Sequence, residues 1–174
     1  MITKDNNLKV MELFFKQPNR SFHLREVGRL TGLSPTGVVK IIKKLEHENL
    51  IISNKDSITK NITPHFDGNF IQRKRLYNIY SLYESGLMSY LKEYFEFPKA
   101  IILFGSYAQG TDIEKSDIDI AIFSDDKEHP NVEKFEKILA RKISLHVLNR
   151  NTMSSEFKNS IANGITLEGF LELV

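Results

Sequence analysis

The residues best equipped for chemistry lie between positions 103 and 120, LFGSYAQGTDIEKSDIDI. An apolar run, AIILF (100–104), ends at the pair Gly105–Ser106, and beyond a ten-residue gap Asp117 and Asp119 alternate with isoleucines. On a strand, residues i and i+2 share a face. Asp117 and Asp119 are therefore expected to project together, with Ile118, Ile120 and Ile122 on the opposite side. Two neighbouring carboxylates repel unless a cation joins them, and their hard oxygens suit Mg²⁺. A glycine turn beside them can bring backbone N–H groups to a phosphate. The pattern suits a Mg²⁺–nucleotide site.

Such a site needs strands to hold it. The sequence predicts one over 100–104, the Gly–Ser turn, a second strand over 117–123, a helix over 131–140 and a third strand, KISLHVL, over 142–148. A further helix stopped by Gly164 and a short strand complete the C-terminal part. Asp112 and Glu114, in the loop between turn and aspartates, read as solvated charges. The chain has 174 residues, 41% hydrophobic and 26% charged, which fits one medium or two small globular domains. It contains no cysteine, which excludes disulfides and thiolate metal sites and fits a cytoplasmic protein. No apolar run reaches the roughly 20 residues needed to span a bilayer, and MITKDNNLKV lacks the apolar core of a signal peptide.

Charge divides the chain. Residues 1–98 carry 15 Lys/Arg against 10 Asp/Glu, whereas residues 99–174 carry 9 against 12. A basic half suits an anionic polymer and an acidic half suits cations. In the basic half, Leu8, Met11, Phe14 and Phe15 mark a helical face ended by Pro18. Ser21 is expected to cap a second helix, with Gly32 as the turn after it. Ser34–Pro35 opens a third helix, a hydroxyl N-cap followed by proline at N1. Its buried side is predicted to be Val38, Ile41, Ile42 and Leu45, with Lys40, Lys43 and Lys44 outward. LIIS (50–53) and ITKNI (58–62), joined by NKDS, read as a hairpin.

A short helix, a glycine turn, a longer basic helix and a hairpin together resemble a winged helix-turn-helix domain. That resemblance implies binding to double-stranded DNA. Ser34, Thr36, Gly37 and Lys40 would approach bases, and Lys43, Lys44, Lys55 and Lys60 would lie near phosphates. Use as a protein-interaction module is the alternative, and a homodimer would suit two-fold DNA sites. Residues 70–95 carry five of the six tyrosines at helical spacing, with a break at Ser85–Gly86. They read as a linker helix and a first helix of the next domain, the tyrosines serving chiefly as a helix–helix interface.

AIILFGSYAQG followed by SDIDIAIF resembles the minimal nucleotidyltransferases of the DNA polymerase β-like superfamily, whose signature is Gly-Ser, about ten residues, then Asp-x-Asp. The expected organisation is α+β: a winged helix-turn-helix over 1–66, a linker helix over 67–83, and a small mixed-sheet nucleotidyltransferase fold over 84–174. The resemblance implies Mg²⁺ and a nucleoside triphosphate, ATP foremost, as cofactors. Asp117 and Asp119 would be the catalytic metal ligands, with Gly105 and Ser106 binding the phosphates. It also implies transfer of a nucleoside monophosphate, AMP foremost, to a protein or small acceptor.

Two departures from the family pattern stand out. The third carboxylate of active members aligns with Ser144, and neither Ser144 nor His146 on the same face replaces it. Glu133 and Glu136 would compensate only if the fold turned one inward. Gln109 stands where many relatives have arginine in Gly-Ser-x-x-Arg-Gly. Three functions therefore stay open: a working transferase, a DNA-binding regulator whose second domain senses nucleotide or serves as scaffold, and an antitoxin-type transferase acting on a toxin partner.

Overall fold

A computed structural model describes residues 5–55, 60–125, 129–148 and 155–170. The chain divides into two compact units, Met1–Lys74 and Arg75–Val174.

In the first unit, α1 (Asn6–Lys16) is capped by Asp5, whose carboxylate accepts the Leu8 N–H at 2.7 Å. This bond is the main reason the Asp5 carboxyl lies below its ordinary pKa. Val10, Met11, Phe14 and Phe15 form the buried side of α1. Ser21 does not cap the next helix, contrary to the sequence reading. Phe22–His23 instead forms β1, and α2 (Leu24–Thr31) starts from His23 without a side-chain cap. The reason is burial: Phe22 is fully enclosed and meets Phe14 edge-on at 5.3 Å, an anchor worth more than one hydroxyl cap. Gly32, with positive φ, ends α2. Ser34 caps α3 (Pro35–His47) as expected, its hydroxyl accepting the Gly37 N–H at 3.2 Å. Val38, Ile42 and Leu45 of α3 are buried, while Lys40, Lys43 and Lys44 are exposed. The hairpin forms between β2 (Ile51–Lys55) and β3 (Lys60–Pro64), and β1 adds to it in the order β1-β3-β2. Residues 56–59 of the turn lie outside the described residues.

Next come α4 (Gly68–Glu84) and α5 (Leu87–Tyr94), separated by Gly86 in the left-handed conformation. The second unit continues with β4 (Ala100–Phe104), α6 (Gly105–Gln109), β5 (Ile118–Phe123), α7 (Glu133–Leu139), β6 (Ile143–Leu148), α8 (Ser155–Ala162) and β7 (Ile165–Gly169). Its sheet has the order β6-β5-β4-β7, with β5 and β6 parallel and β4 antiparallel to both its neighbours.

Both faces of this sheet are covered, which explains the near-continuous apolar runs of β4 and β5. Ile101, Leu103, Ile118, Ile120 and Ile122 pack on one face with Leu87, Met88 and Leu91 of α5 and Phe135 and Leu139 of α7. Tyr90 lies against Phe135 at 5.1 Å, so this tyrosine serves packing. On the other face Ala100, Ile102, Phe104, Ala121 and Phe123 meet Ile161, with Phe157 of α8 partly buried against them. Gly164 allows the turn from α8 into β7, because a Cβ there would lie 2.7 Å from Ile102 Cγ2 and 2.8 Å from the Leu103 carbonyl.

Candidate active site

Alternation along β5 decides what reaches the α8 face. Ile118, Ile120 and Ile122 enter the opposite core, so Asp119 shares its face with Ala121 and Phe123. Ala121 and Phe123 are buried, and Asp119 is the polar end of the row, its side chain 31% exposed. Asp117 precedes β5 by one residue and is exposed.

Gly105 begins α6 where β4 ends, with φ of +71°. That conformation disfavours any side chain. Space forbids one as well: a Cβ on Gly105 would sit 2.5 Å from Asp119 Oδ2. The backbone of the turn and the Asp119 carboxylate are thus in direct apposition. Phe104, the preceding residue, is the register partner of Asp119 across β4–β5. Ser106 follows in the first turn of α6, half-buried, and its carbonyl accepts the Thr111 N–H at 3.0 Å.

The β6 side is built differently. Ser144 is the register partner of Asp119, the position expected for the third carboxylate. His146 Nε2 lies 4.0 Å from Asp119 Oδ1 and 3.3 Å from Ser144 Oγ. Its ring packs between Phe104 and Phe157, at 5.4 and 5.2 Å. Burial raises the Asp119 pKa above its ordinary value, with nearby Asp117 adding to the rise and His146 opposing it. Glu136 does not supply the missing acid at this position. Its carboxylate accepts the Ile143 N–H at 2.9 Å and lies 3.5 Å from Lys142 Nζ. The Ile143 bond is the main cause of its lowered pKa. Glu133 is exposed on α7.

The donor chemistry fits a divalent cation. Asp117 and Asp119 offer hard oxygens, and a bound cation would relieve the repulsion between them that contributes to the raised Asp119 pKa. Among the described residues, no group of three or more His, Asp or Glu side chains is gathered as a metal cage. The remaining positions of an ion held here would fall to water and phosphate, as Mg²⁺ commonly accepts.

Asp112 overturns the reading of a solvated loop acid. It is 2% exposed and accepts a 2.7 Å bond from Asn78 Nδ2, with Arg141 Nη2 at 3.8 Å. The Asn78 amide also donates to the Tyr107 carbonyl at 2.9 Å, and the Tyr107 hydroxyl lies 2.9 Å from Ser81 Oγ. Burial pushes the Tyr107 pKa up to about 12. Asn78 and Ser81 of α4 thereby fasten α6 and the loop that leads to Asp117. A lone Asp in a polar loop carries no local signal of this, because its partners lie 34 residues before and 29 after it.

In the first unit, Thr36 is exposed beside the capping Ser34, their hydroxyls 3.3 Å apart. Lys44 Nζ lies 3.9 Å from Glu48 at the end of α3. Lys55 and Lys60 belong to β2 and β3, but their side chains lie outside the described residues.

Residues 86–168 match the family model for Polymerase beta, Nucleotidyltransferase. The matched segment contains Gly105, Ser106, Asp117, Asp119 and the whole of β6. A Methanocaldococcus jannaschii protein named "Putative protein adenylyltransferase MJ1379" is 44% identical over 54 residues, a match covering 27% of this chain. The match covers about half of that relative's length, 54%. No solved structure matches the chain. Among the described residues, no helix is long and apolar enough to cross a membrane.

Proposed function

We propose that the protein transfers AMP from ATP to a protein acceptor. The observation carrying this reading is the apposition of Gly105 and the Asp119 carboxylate, which puts a side-chain-free turn beside an acidic pair within a nucleotidyltransferase domain. In the proposed reaction an acceptor nucleophile attacks the α-phosphorus and pyrophosphate leaves. Such transfers depend chiefly on positioning and charge neutralisation. Gly105 lets the backbone approach the β- and γ-phosphates, and Ser106 offers a hydroxyl to them. Asp117 and Asp119 would hold Mg²⁺, which supplies the neutralising charge. The name of the archaeal relative supports adenylyl transfer to protein.

A second reading, nucleotide sensing without transfer, is favoured by Ser144 in register with Asp119. Labelled ATP, Mg²⁺ and cell lysate separate the two. Label transfer that is lost in Asp117→Ala and Asp119→Ala supports the transferase. ATP binding without transfer supports the sensor.

The first unit fits a winged helix-turn-helix that binds duplex DNA, with α3 as its recognition helix. The exposed Lys40, Lys43 and Lys44 on a Ser34-capped helix followed by a hairpin support this. Replacing the three lysines with alanine is expected to weaken duplex retention and to lower its salt dependence by about one unit of slope per lost phosphate contact. A wild-type chain that fails to retain DNA at low salt would contradict the assignment.

A further inference from the structure

His146 stands beside the acidic pair and is part of neither that pair nor the glycine turn. It lies on β6 two residues after Ser144, on the face that β5 fills with Asp119, Ala121 and Phe123. Of the β6 side chains on that face, Leu148 packs into the core and Ser144 offers only a weak, neutral oxygen. The third, His146, carries a strong metal donor. Its Nε2 lies 4.0 Å from Asp119 Oδ1, and its side chain is 34% exposed, so an entering ion can reach the imidazole. A single ion with bonds of about 2.1 Å to each donor can span that separation. The ring is held by packing against Phe104 and Phe157 at 5.4 and 5.2 Å, and Phe104 is itself the register partner of Asp119. A donor ordered in this way loses little rotamer freedom on binding. As a bare ion pair, two partly exposed groups 4.0 Å apart would contribute little.

We propose that His146 Nε2 joins Asp119 as a ligand of the bound ion and turns the site from Mg²⁺ towards a first-row transition ion such as Mn²⁺. The inference rests on the metal-site reading above and adds which ion the site prefers. Mg²⁺ favours oxygen surroundings and keeps several of its waters. Imidazole nitrogen favours transition ions, and sites that mix carboxylates with histidine hold iron and manganese. The carboxylate of the related motif aligns with Ser144, and β6 here contributes a softer donor from two residues further along the same face. The change on β6 then alters which metal the site takes and does not empty the site.

The test uses the full chain with Mn²⁺ or Mg²⁺ as the only added ligand. Electron paramagnetic resonance measures bound Mn²⁺, its spin-echo modulation reports a nitrogen coordinated to the ion, and competition gives the Mg²⁺ affinity. The wild type is expected to prefer Mn²⁺ and to show nitrogen coupling on it. His146→Phe keeps an aromatic ring against Phe104 and Phe157 and removes the nitrogen. In that variant the coupling should vanish while Mg²⁺ affinity changes little. Its Mn²⁺ affinity should fall at least roughly tenfold, the loss seen when a group that merely orients a metal ligand is removed. Should His146→Phe fail to fold, a wild-type coupling that disappears in Asp119→Asn assigns the nitrogen to this site. Mn²⁺ bound without nitrogen coupling, or with equal affinity in the wild type and His146→Phe, would overturn this inference and leave the acidic-pair site standing. A wild-type chain that binds neither ion would overturn both.

Discussion

The two strands flanking β5 treat Asp119 in opposite ways. On the β4 side the fit is steric: Phe104 lies in register with Asp119, and the absent Cβ of Gly105 makes room for its carboxylate. On the β6 side the fit is chemical: Ser144 stands in register and His146 lies 4.0 Å away. A steric fit admits almost no substitution, since any side chain at Gly105 both clashes and strains the backbone. A register position on a strand tolerates exchange of one polar side chain for another without changing the sheet. The contrast explains how the Gly105 turn can keep its tight fit on Asp119 while position 144, in register with the same aspartate, carries no carboxylate. It also makes β6, rather than the turn, the element that separates the transferase reading from the sensor reading.

The largest expected effect tests whether the turn side is anchored from beneath. Asp112→Ala leaves Arg141 without its carboxylate in a side-chain environment only 7% exposed, and loss of one partner of a buried pair costs about 3–5 kcal/mol. Denaturant unfolding should record that loss. A cost under about 1 kcal/mol would mean that the loop before Asp117 is held by something else. Gly105→Ala is next: its left-handed φ alone costs about 1–2 kcal/mol, and the new Cβ displaces Asp119. Mg²⁺-dependent ATP binding should disappear along with it. Unimpaired binding would show that the tight apposition is not needed.

Ser144→Asp sharpens the other side. A third carboxylate in register with Asp119 should raise Mg²⁺ affinity several-fold, read by calorimetry, and unchanged affinity would mean that position 144 does not face the ion. The smallest effect is a pH dependence. Because the folded pKa of Asp119 is raised above its ordinary 3.8, ionised Asp119 lowers stability at neutral pH. Asp119→Asn should therefore melt above wild type at pH 7. That advantage should shrink as the pH falls through the raised pKa towards the ordinary carboxylate range, where the wild-type group regains its proton. An advantage that grows on acidification would contradict the direction of the shift.

Local features made much of this architecture legible. The Gly-Ser turn, the alternation of Asp and Ile, the Ser34–Pro35 helix start and the hairpin all announce themselves within a few residues. What stayed hidden depends on partners distant in sequence. The two-residue β1 exists because Phe22 pairs with Ile62 and packs on Phe14, and its pull overrides the cap expected at Ser21. Asp112 is buried because Asn78 and Arg141 converge on it. The role of Glu136 in bonding the first N–H of β6 likewise depends on the turn from α7 into that strand. Periodicity reports which face an element buries, and it carries no information about which distant polar group is waiting there.

The central claim is that the Gly105 turn and the Asp117–Asp119 pair form one Mg²⁺–nucleotide site. Calorimetric titration of ATP into the full chain, with and without Mg²⁺, tests it most directly when run beside Asp117→Asn/Asp119→Asn. The account predicts ATP binding that requires Mg²⁺ in the wild type and is lost in the double variant. ATP binding of equal strength in both proteins, or independent of Mg²⁺, would contradict it.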